Sequence, residues 1–265
     1  MHNCRRYDQR SFVNTNAARI QRPPMKCQIL QWLITYSSIA PIFALFYCVI
    51  LSLLTDFSHS VTTHCTDANY LPSLSAAINN EHRHFVFSLC ILTSNIFRLF
   101  TLPFQWNIYK KLYANDVFIL IQVLQVVELM GLSSLVIFPS LGYYVIHRDS
   151  FLVFLGSSFL LVILVNAFEI RIDYSPVSIN RCLRLKISLV YLGAIIASMV
   201  SYYIHITYCP PLAYTFFSLF EYLLILSNVA FHYQQNSPIF EYSLEEINTS
   251  IMNPNYSRKK YVLPI

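Results

Sequence analysis

Three ionisable side chains stand inside long apolar runs. Arg98 lies in Phe85–Trp106, Glu128 in Phe118–Ile137 and Glu221 in Leu212–Phe231. At bilayer depth such a group costs about 3 kcal/mol or more unless it is paired or hydrated, so each is a functional candidate by default. A pair between Arg98 and one of the two acids would fix helix packing. The second carboxyl would then have to be protonated or bind something. At 100° per residue, Ser94, Asn95, Arg98, Thr101 and Gln105 share one helical face. Tyr214, Ser218, Glu221, Asn228 and His232 share a second, and Tyr191, Ser198, Ser201, Tyr202 and His205 a third. Facing one another, these stripes would enclose a hydrated cavity or a path for a lipid headgroup.

The connection Thr63–Asn79, THCTDANYLPSLSAAIN, carries further chemistry. Ser73 or Ser75 with His64, Asp67, His147 or His205 would make a serine–histidine–acid set if the fold brings them within hydrogen-bond reach. No nucleophile elbow and no phosphate loop occur, and the chain has only four glycines. The histidines do not follow a His-Glu-x-x-His pattern, and His82 and His84 alternate rather than share a helical face, so no metal is expected. Nothing calls for a cofactor.

The elements that must position these groups follow from composition. Hydrophobic residues make up 55% of the 265-residue chain and charged ones only 12%, where soluble domains carry about 25%. Six runs satisfy the roughly 20 apolar residues a bilayer-spanning helix needs: Leu30–Leu54, Phe85–Trp106, Phe118–Ile137, Phe151–Phe168, Ile187–Ile204 and Leu212–Phe231. The first is too long, and too far into the chain, for a cleaved signal peptide. The expected fold is all-α: a polytopic integral membrane protein with a six-helix transmembrane bundle. Its domains are a basic N-terminal tail over 1–29, a membrane domain over 30–231 with loops 55–84, 138–150 and 205–211 on one side, and a C-terminal tail over 232–265.

Lysine and arginine crowd the tails and the loops around Lys110–Lys111 and Arg171–Lys186, while the opposite side has only Arg83 and Arg148. That bias predicts cytoplasmic termini and luminal or external loops opposite. The net charge of +5 then belongs to cytoplasmic flanks facing anionic lipid, with no nucleic-acid partner. Of the seven cysteines, Cys65 and Cys209 alone fall on the luminal side, where an oxidising compartment favours a disulfide. Two free thiols are the alternative. The sequons at Asn248 and Asn255 fall in the cytoplasmic tail, where glycosylation is not expected.

The run THC…NYLPSLSAAI resembles the luminal signature of the post-GPI-attachment-to-proteins factor 2 family. The likeness continues through FRLF…QWNIY (Phe97–Tyr109), QVVE (Gln125–Glu128), IHRDSF with its His147 and FLVFLGSS (Phe151–Ser158). It ends in YYIHITYC…YTFFSLFEYLLILSNVAFH, up to His232. One departure is Leu161, which stands where a family histidine is expected in the fourth span.

The resemblance implies a multi-pass protein of the Golgi membrane, or also of the endoplasmic reticulum membrane. It would act in lipid remodelling of GPI-anchored proteins, promoting sn-2 reacylation of the lyso-GPI intermediate with a saturated fatty acid. Its partners would be lyso-GPI proteins, membrane lipids and, if the chain is not itself the acyltransferase, a separate one. In the enzymatic version Glu128, Glu221 or His205 deprotonates the lyso-lipid hydroxyl and Arg98 holds a phosphate or an oxyanion. Substrate contacts would come from Arg98, His64, Tyr70, Ser73, Ser75, His147 and Asn228. The alternatives are a non-catalytic presenting factor for lyso-GPI and a lipid-organising scaffold or transporter. The Thr63–Asn79 connection is read as a lid over a headgroup site, stapled by Cys65; a lid that packs only for stability is the alternative. Pro72 would lie in the first turn of a short helix, with Leu71, Leu74 and Ile78 toward the membrane surface.

Overall fold

The computed structural model describes residues 25–65, 68–109, 115–169 and 181–252. Asp67, Asn255 and the loops carrying Lys110 and Arg171 lie outside them. The described residues form eight helices and no strand. In chain order these are α1 (Met25–Thr55), α2 (Phe57–Val61), α3 (Leu74–Ala77), α4 (Glu81–Tyr109), α5 (Asn115–Ile137), α6 (Ser140–Glu169), α7 (Arg181–Tyr208) and α8 (Ala213–Met252). Six of them (α1 and α4 to α8) are long and apolar enough to cross a bilayer. With no water to satisfy backbone groups in hydrocarbon, helices are the form such segments must take. The protein is a multi-pass membrane protein.

α1 packs along α4, α5 along α6 and α7 along α8, while α8 also reaches α1 and α4. Large apolar side chains such as Trp32, Phe43, Phe85, Leu189 and Tyr203 point outward, as lipid-facing surfaces do, and polar side chains turn inward. Pro41 shows how tightly sequence and packing are coupled. Its missing N–H frees the carbonyl of Ser37 four residues earlier, and Ser94 of α4 donates to that carbonyl at 2.7 Å. A breaker in one helix thus becomes a crosslink to the next.

All six spanning helices run past the boundaries expected from hydropathy, α7 far enough to take in His205, and the largest extensions are in α6 and α8. Residues 140–150, read as connection, are helical and begin α6, with a break at Leu141–Tyr143 where Gly142 takes φ 101°. A β-carbon there would be strained, so glycine makes the corner. α8 continues beyond Phe231 to Met252, and His232, Gln235 and Asn236 on its extension are buried. Hydropathy alone ends the span at Phe231 because these polar residues look like tail; they point into the bundle instead.

Gly131 sits where α5 and α6 touch: a β-carbon at this position would stand 2.8 Å from the Phe154 backbone nitrogen. Backbone cannot yield as a side-chain tip can. Gly131→Ala is expected to destabilise the bundle by about 1–3 kcal/mol, read as a lowered midpoint of thermal unfolding in detergent.

Candidate functional site

A cavity of about 470 Å³ runs through the bundle, within the range of about 300–1,000 Å³ typical of ligand sites. Its walls are largely apolar: Leu74, Ile91, Leu132, Phe151 and Leu224 are among them. Polar groups gather at its two ends. Ser73, Ser75, His147 and Glu221 line one, and Asn95, Arg98, Asn228 and His232 the other. Glu221 and His232 are eleven residues apart on α8, so the ends are separated by about 16 Å of helix rise.

The inner end is built around Glu128, whose side chain is wholly buried. Arg98 Nη2 donates to its Oε2 at 3.3 Å, and Asn228 Nδ2 to its Oε1 at 3.0 Å. His232 Nε2 lies 2.9 Å from Oε1 and 2.7 Å from Arg98 Nη2. One imidazole nitrogen cannot donate to the carboxylate and accept from the guanidinium together, so Arg98 and Glu128 compete for it. Asn228 Nδ2 also reaches Ser158 Oγ at 2.9 Å, and Tyr191 Oη donates to that same hydroxyl at 2.9 Å. The pairing left open by sequence is therefore Arg98 with Glu128. Glu128 does not line the cavity, although its three partners do.

The other end is roofed by α3, and α8 holds that roof largely through its backbone. The Leu74 N–H donates to Glu221 Oε2 at 2.8 Å, the Ser73 N–H to Tyr214 Oη at 3.1 Å and the Tyr70 N–H to Thr215 Oγ1 at 3.0 Å. Ser218 Oγ donates to the Leu71 carbonyl at 3.1 Å, and Tyr222 Oη to that of Pro72. Glu221, the carboxyl with no arginine, thus accepts the first N–H of α3, a donor that has no partner within the helix. At the far end of α3, Arg83 Nε donates to the Ala77 carbonyl at 2.6 Å, while Nη2 reaches Asp56 at 3.4 Å.

This geometry corrects the expectation for the lid. Ser73, not a free hydroxyl, is the N-cap of α3, accepting from the Ala76 N–H at 3.2 Å; Pro72 precedes the cap. Nor does α3 lie on the membrane surface. Leu74, Ala77 and Ile78 are buried against Ala44, Leu45, Phe87 and Val136. The apolar spacing was legible, but what it faces is the interior of the bundle.

Of the remaining expected residues, Ser75 and His147 meet: Ser75 Oγ is 3.1 Å from His147 Nε2. Tyr70 is exposed, with its ring outside the cavity lining. His64 and His205 also stand apart from the cavity, beside the disulfide that joins Cys65 to Cys209. His205 Nδ1 lies 3.8 Å from Cys65 Sγ, and its ring meets that of His64 edge-on and that of Tyr214 at a tilt, with centroids 5.1 Å apart in each case. His64, Cys65 and Cys209 cluster closely enough to suggest a metal site, but both sulfurs are spent on the disulfide. Losing that crosslink, which spans 144 residues, by Cys65→Ser with Cys209→Ser is expected to lower stability by about 2–4 kcal/mol, measured by thermal unfolding under non-reducing conditions. Leu161 is fully buried in an apolar cluster with Ile121, Val165 and Phe231.

His232 and Tyr214 could be found by their helical register with Glu221. Tyr191 could be found by its register with Ser198 and His205, while Ser158 and Tyr222 gave no such signal, since serine and tyrosine recur throughout the apolar runs.

The model of the Frag1/DRAM/Sfk1/Cwh43P N-terminal domain matches residues 29–234, which take in all or most of each spanning helix except the extension of α8. Curated relatives include "Post-GPI attachment to proteins factor 2" of Drosophila pseudoobscura, 34% identical over 72% of this chain and 78% of the relative. The protein of that name from Drosophila melanogaster is also 34% identical, with the same coverage. "Acyltransferase PGAP2" of Xenopus tropicalis is 30% identical over 72% of this chain and 80% of its own. No solved structure matches. The chain belongs to the Frag1/DRAM/Sfk1/Cwh43P N-terminal domain family and, within it, groups with the post-GPI-attachment-to-proteins factor 2 proteins.

Proposed function

We propose that this chain acts in GPI-anchor lipid remodelling in the Golgi membrane, as an acyltransferase that restores a saturated sn-2 chain to lyso-GPI-anchored proteins. The observation that carries the reading is the cavity: an apolar volume among spanning helices, with a hydrogen-bonded roof at one end where Ser75, His147 and Glu221 line it. The names of the relatives supply the substrate class, and one of those names supplies the reaction.

The charge bias of the flanks puts the Cys65–Cys209 end of the bundle in the lumen, the side on which a GPI glycan lies. A lyso-lipid hydroxyl at the roof then stands where a base can take its proton, while a fatty chain lies along the apolar wall. Arg98, Asn228 and His232 form the floor, with Glu128 fixing all three. The 16 Å or so between floor and roof separates their tasks: a group held at Arg98 is not the one reacting at the lid. His64 and His205 buttress the disulfide.

The test uses purified protein in lipid vesicles with lyso-GPI and labelled acyl thioester or phospholipid donors. Labelled diacyl product is the expected result. Tight lyso-GPI binding with no product from any donor would make the chain a presenting factor for a separate acyltransferase. Unaltered lipid and no binding would leave the scaffold or transporter reading.

A further inference from the structure

The pairing of Ser75 with His147 has a feature that a simple latch does not need. His147 Nδ1 lies 3.1 Å from the Leu135 carbonyl and 2.8 Å from that of Phe138. Carbonyl oxygens only accept, so Nδ1 carries the proton and Nε2 presents its lone pair. That lone pair faces Ser75 Oγ at 3.1 Å, so the hydroxyl donates to the ring.

The chain builds this orientation from local rules. α5 ends at Ile137, where last-turn carbonyls lack helical partners. Pro139 has no N–H to offer Leu135 four residues earlier, so that carbonyl in particular is left open. The corner at Gly142 then turns α6 so that His147 returns over the end of α5 and fills the vacancy. Ser75 is presented from α3, which Glu221, Tyr214 and Arg83 hold in place. Both partners line the cavity. A nucleophile within reach of a base, and that base oriented by a third group, is the arrangement nucleophilic catalysis requires.

We propose that Ser75 is a catalytic nucleophile that carries the fatty acyl group as an ester between donor and acceptor, with His147 as its base. The proposal rests on the acyl-transfer reading and specifies its course. Ser75 Oγ attacks the carbonyl carbon of a long-chain acyl ester or thioester, and His147 Nε2 takes the hydroxyl proton. The carbonyl–leaving-group bond breaks, and His147 returns that proton to the departing alcohol or thiol. In the second half the lyso-lipid hydroxyl attacks the acyl-serine carbonyl and gives its proton to Nε2. The Ser75 ester bond then breaks and Ser75 Oγ recovers the proton. No oxidant, reductant or net proton is needed. Two-step kinetics of the ping-pong kind follow.

The experiment treats the full chain in lipid nanodiscs with a hexadecyl fluorophosphonate and locates the adduct by peptide mass spectrometry. The expected result is phosphonylation of Ser75 in the wild type, lost in Ser75→Ala and in His147→Phe. All three are compared at an intact Cys65–Cys209 bond and matched helical content, so that misfolding is visible. Incubation with labelled acyl donor and no acceptor should leave an acyl ester on Ser75, and Ser75→Ala should lower transfer to lyso-GPI by about 10³-fold. Transfer that persists within a few-fold in a folded Ser75→Ala protein overturns the covalent step but leaves the reaction standing as direct attack. His147-dependent labelling of Ser75 with no acylation of lyso-GPI keeps the nucleophile and removes the assigned substrate. Absence of any Ser75 adduct in the folded wild type overturns the proposal.

Discussion

Glu128→Leu is expected to produce the largest loss of stability of any single substitution in the bundle, about 3–5 kcal/mol, seen as a lower unfolding midpoint and reduced folded yield. The carboxylate accepts from Arg98 and Asn228 and competes with Arg98 for His232, and its side chain has no contact with solvent. Leucine leaves the Arg98 guanidinium without its carboxylate, with His232 still beside it, and it removes an acceptor of Asn228. The double variant Arg98→Leu with Glu128→Leu takes away the stranded charge as well as its partner, and much of the loss should be recovered. In a double-mutant cycle the coupling should therefore be large and favourable. A Glu128→Leu protein that unfolds no more readily than wild type would show that the cluster is not what holds α4, α5 and α8 together. Activity separates structure from chemistry. Because the reacting groups are assigned to the roof, the folded double variant should still transfer acyl chains, though with weaker binding of the group that Arg98 held. Its failure to do so would bring Arg98 into the reaction.

How far the sequence foretold this cluster can be read residue by residue. Arg98 and Glu128 stood out because charge in an apolar run has few explanations, and Asn228 and His232 because they follow Glu221 at helical spacing. All five members of the α4 stripe, from Ser94 to Gln105, are buried, so the register was legible as well. What could not be read was which acid Arg98 meets. Helical period fixes a face, not the depth at which two helices cross, and both carboxyls offered a suitable face. The Cys65–Cys209 disulfide followed from sidedness and compartment, without geometry. The roof was only half legible. Serine at a loop–helix junction reads equally well as a ligand contact and as a cap, and Ser73 is a cap. Ser75, two residues on, shows no difference in type or local pattern. Its partner lies 72 residues away, beyond a corner that hydropathy assigned to a loop.

Glu221 supplies the second test, because leucine and glutamine at that position should behave differently. The carboxyl accepts the Leu74 N–H at the buried start of α3. Glu221→Leu leaves that N–H unsatisfied, at about 1–3 kcal/mol, and the α3 segment should open more often while the six spanning helices stay folded. Hydrogen exchange of the backbone around Leu74 should rise by about 5- to 150-fold, with little change in α4 or α5. The Cys65–Cys209 bond keeps the opened roof tethered, so the effect is local rather than global. Glu221→Gln keeps an oxygen in the same position, and exchange should stay near wild type. Acyl transfer should then fall in Glu221→Leu, where Ser75 is no longer held against His147, and survive in Glu221→Gln. A glutamine variant with a protected roof but no transfer would reverse that assignment: the carboxylate itself would be taking part in the reaction, beside Ser75 or in place of it.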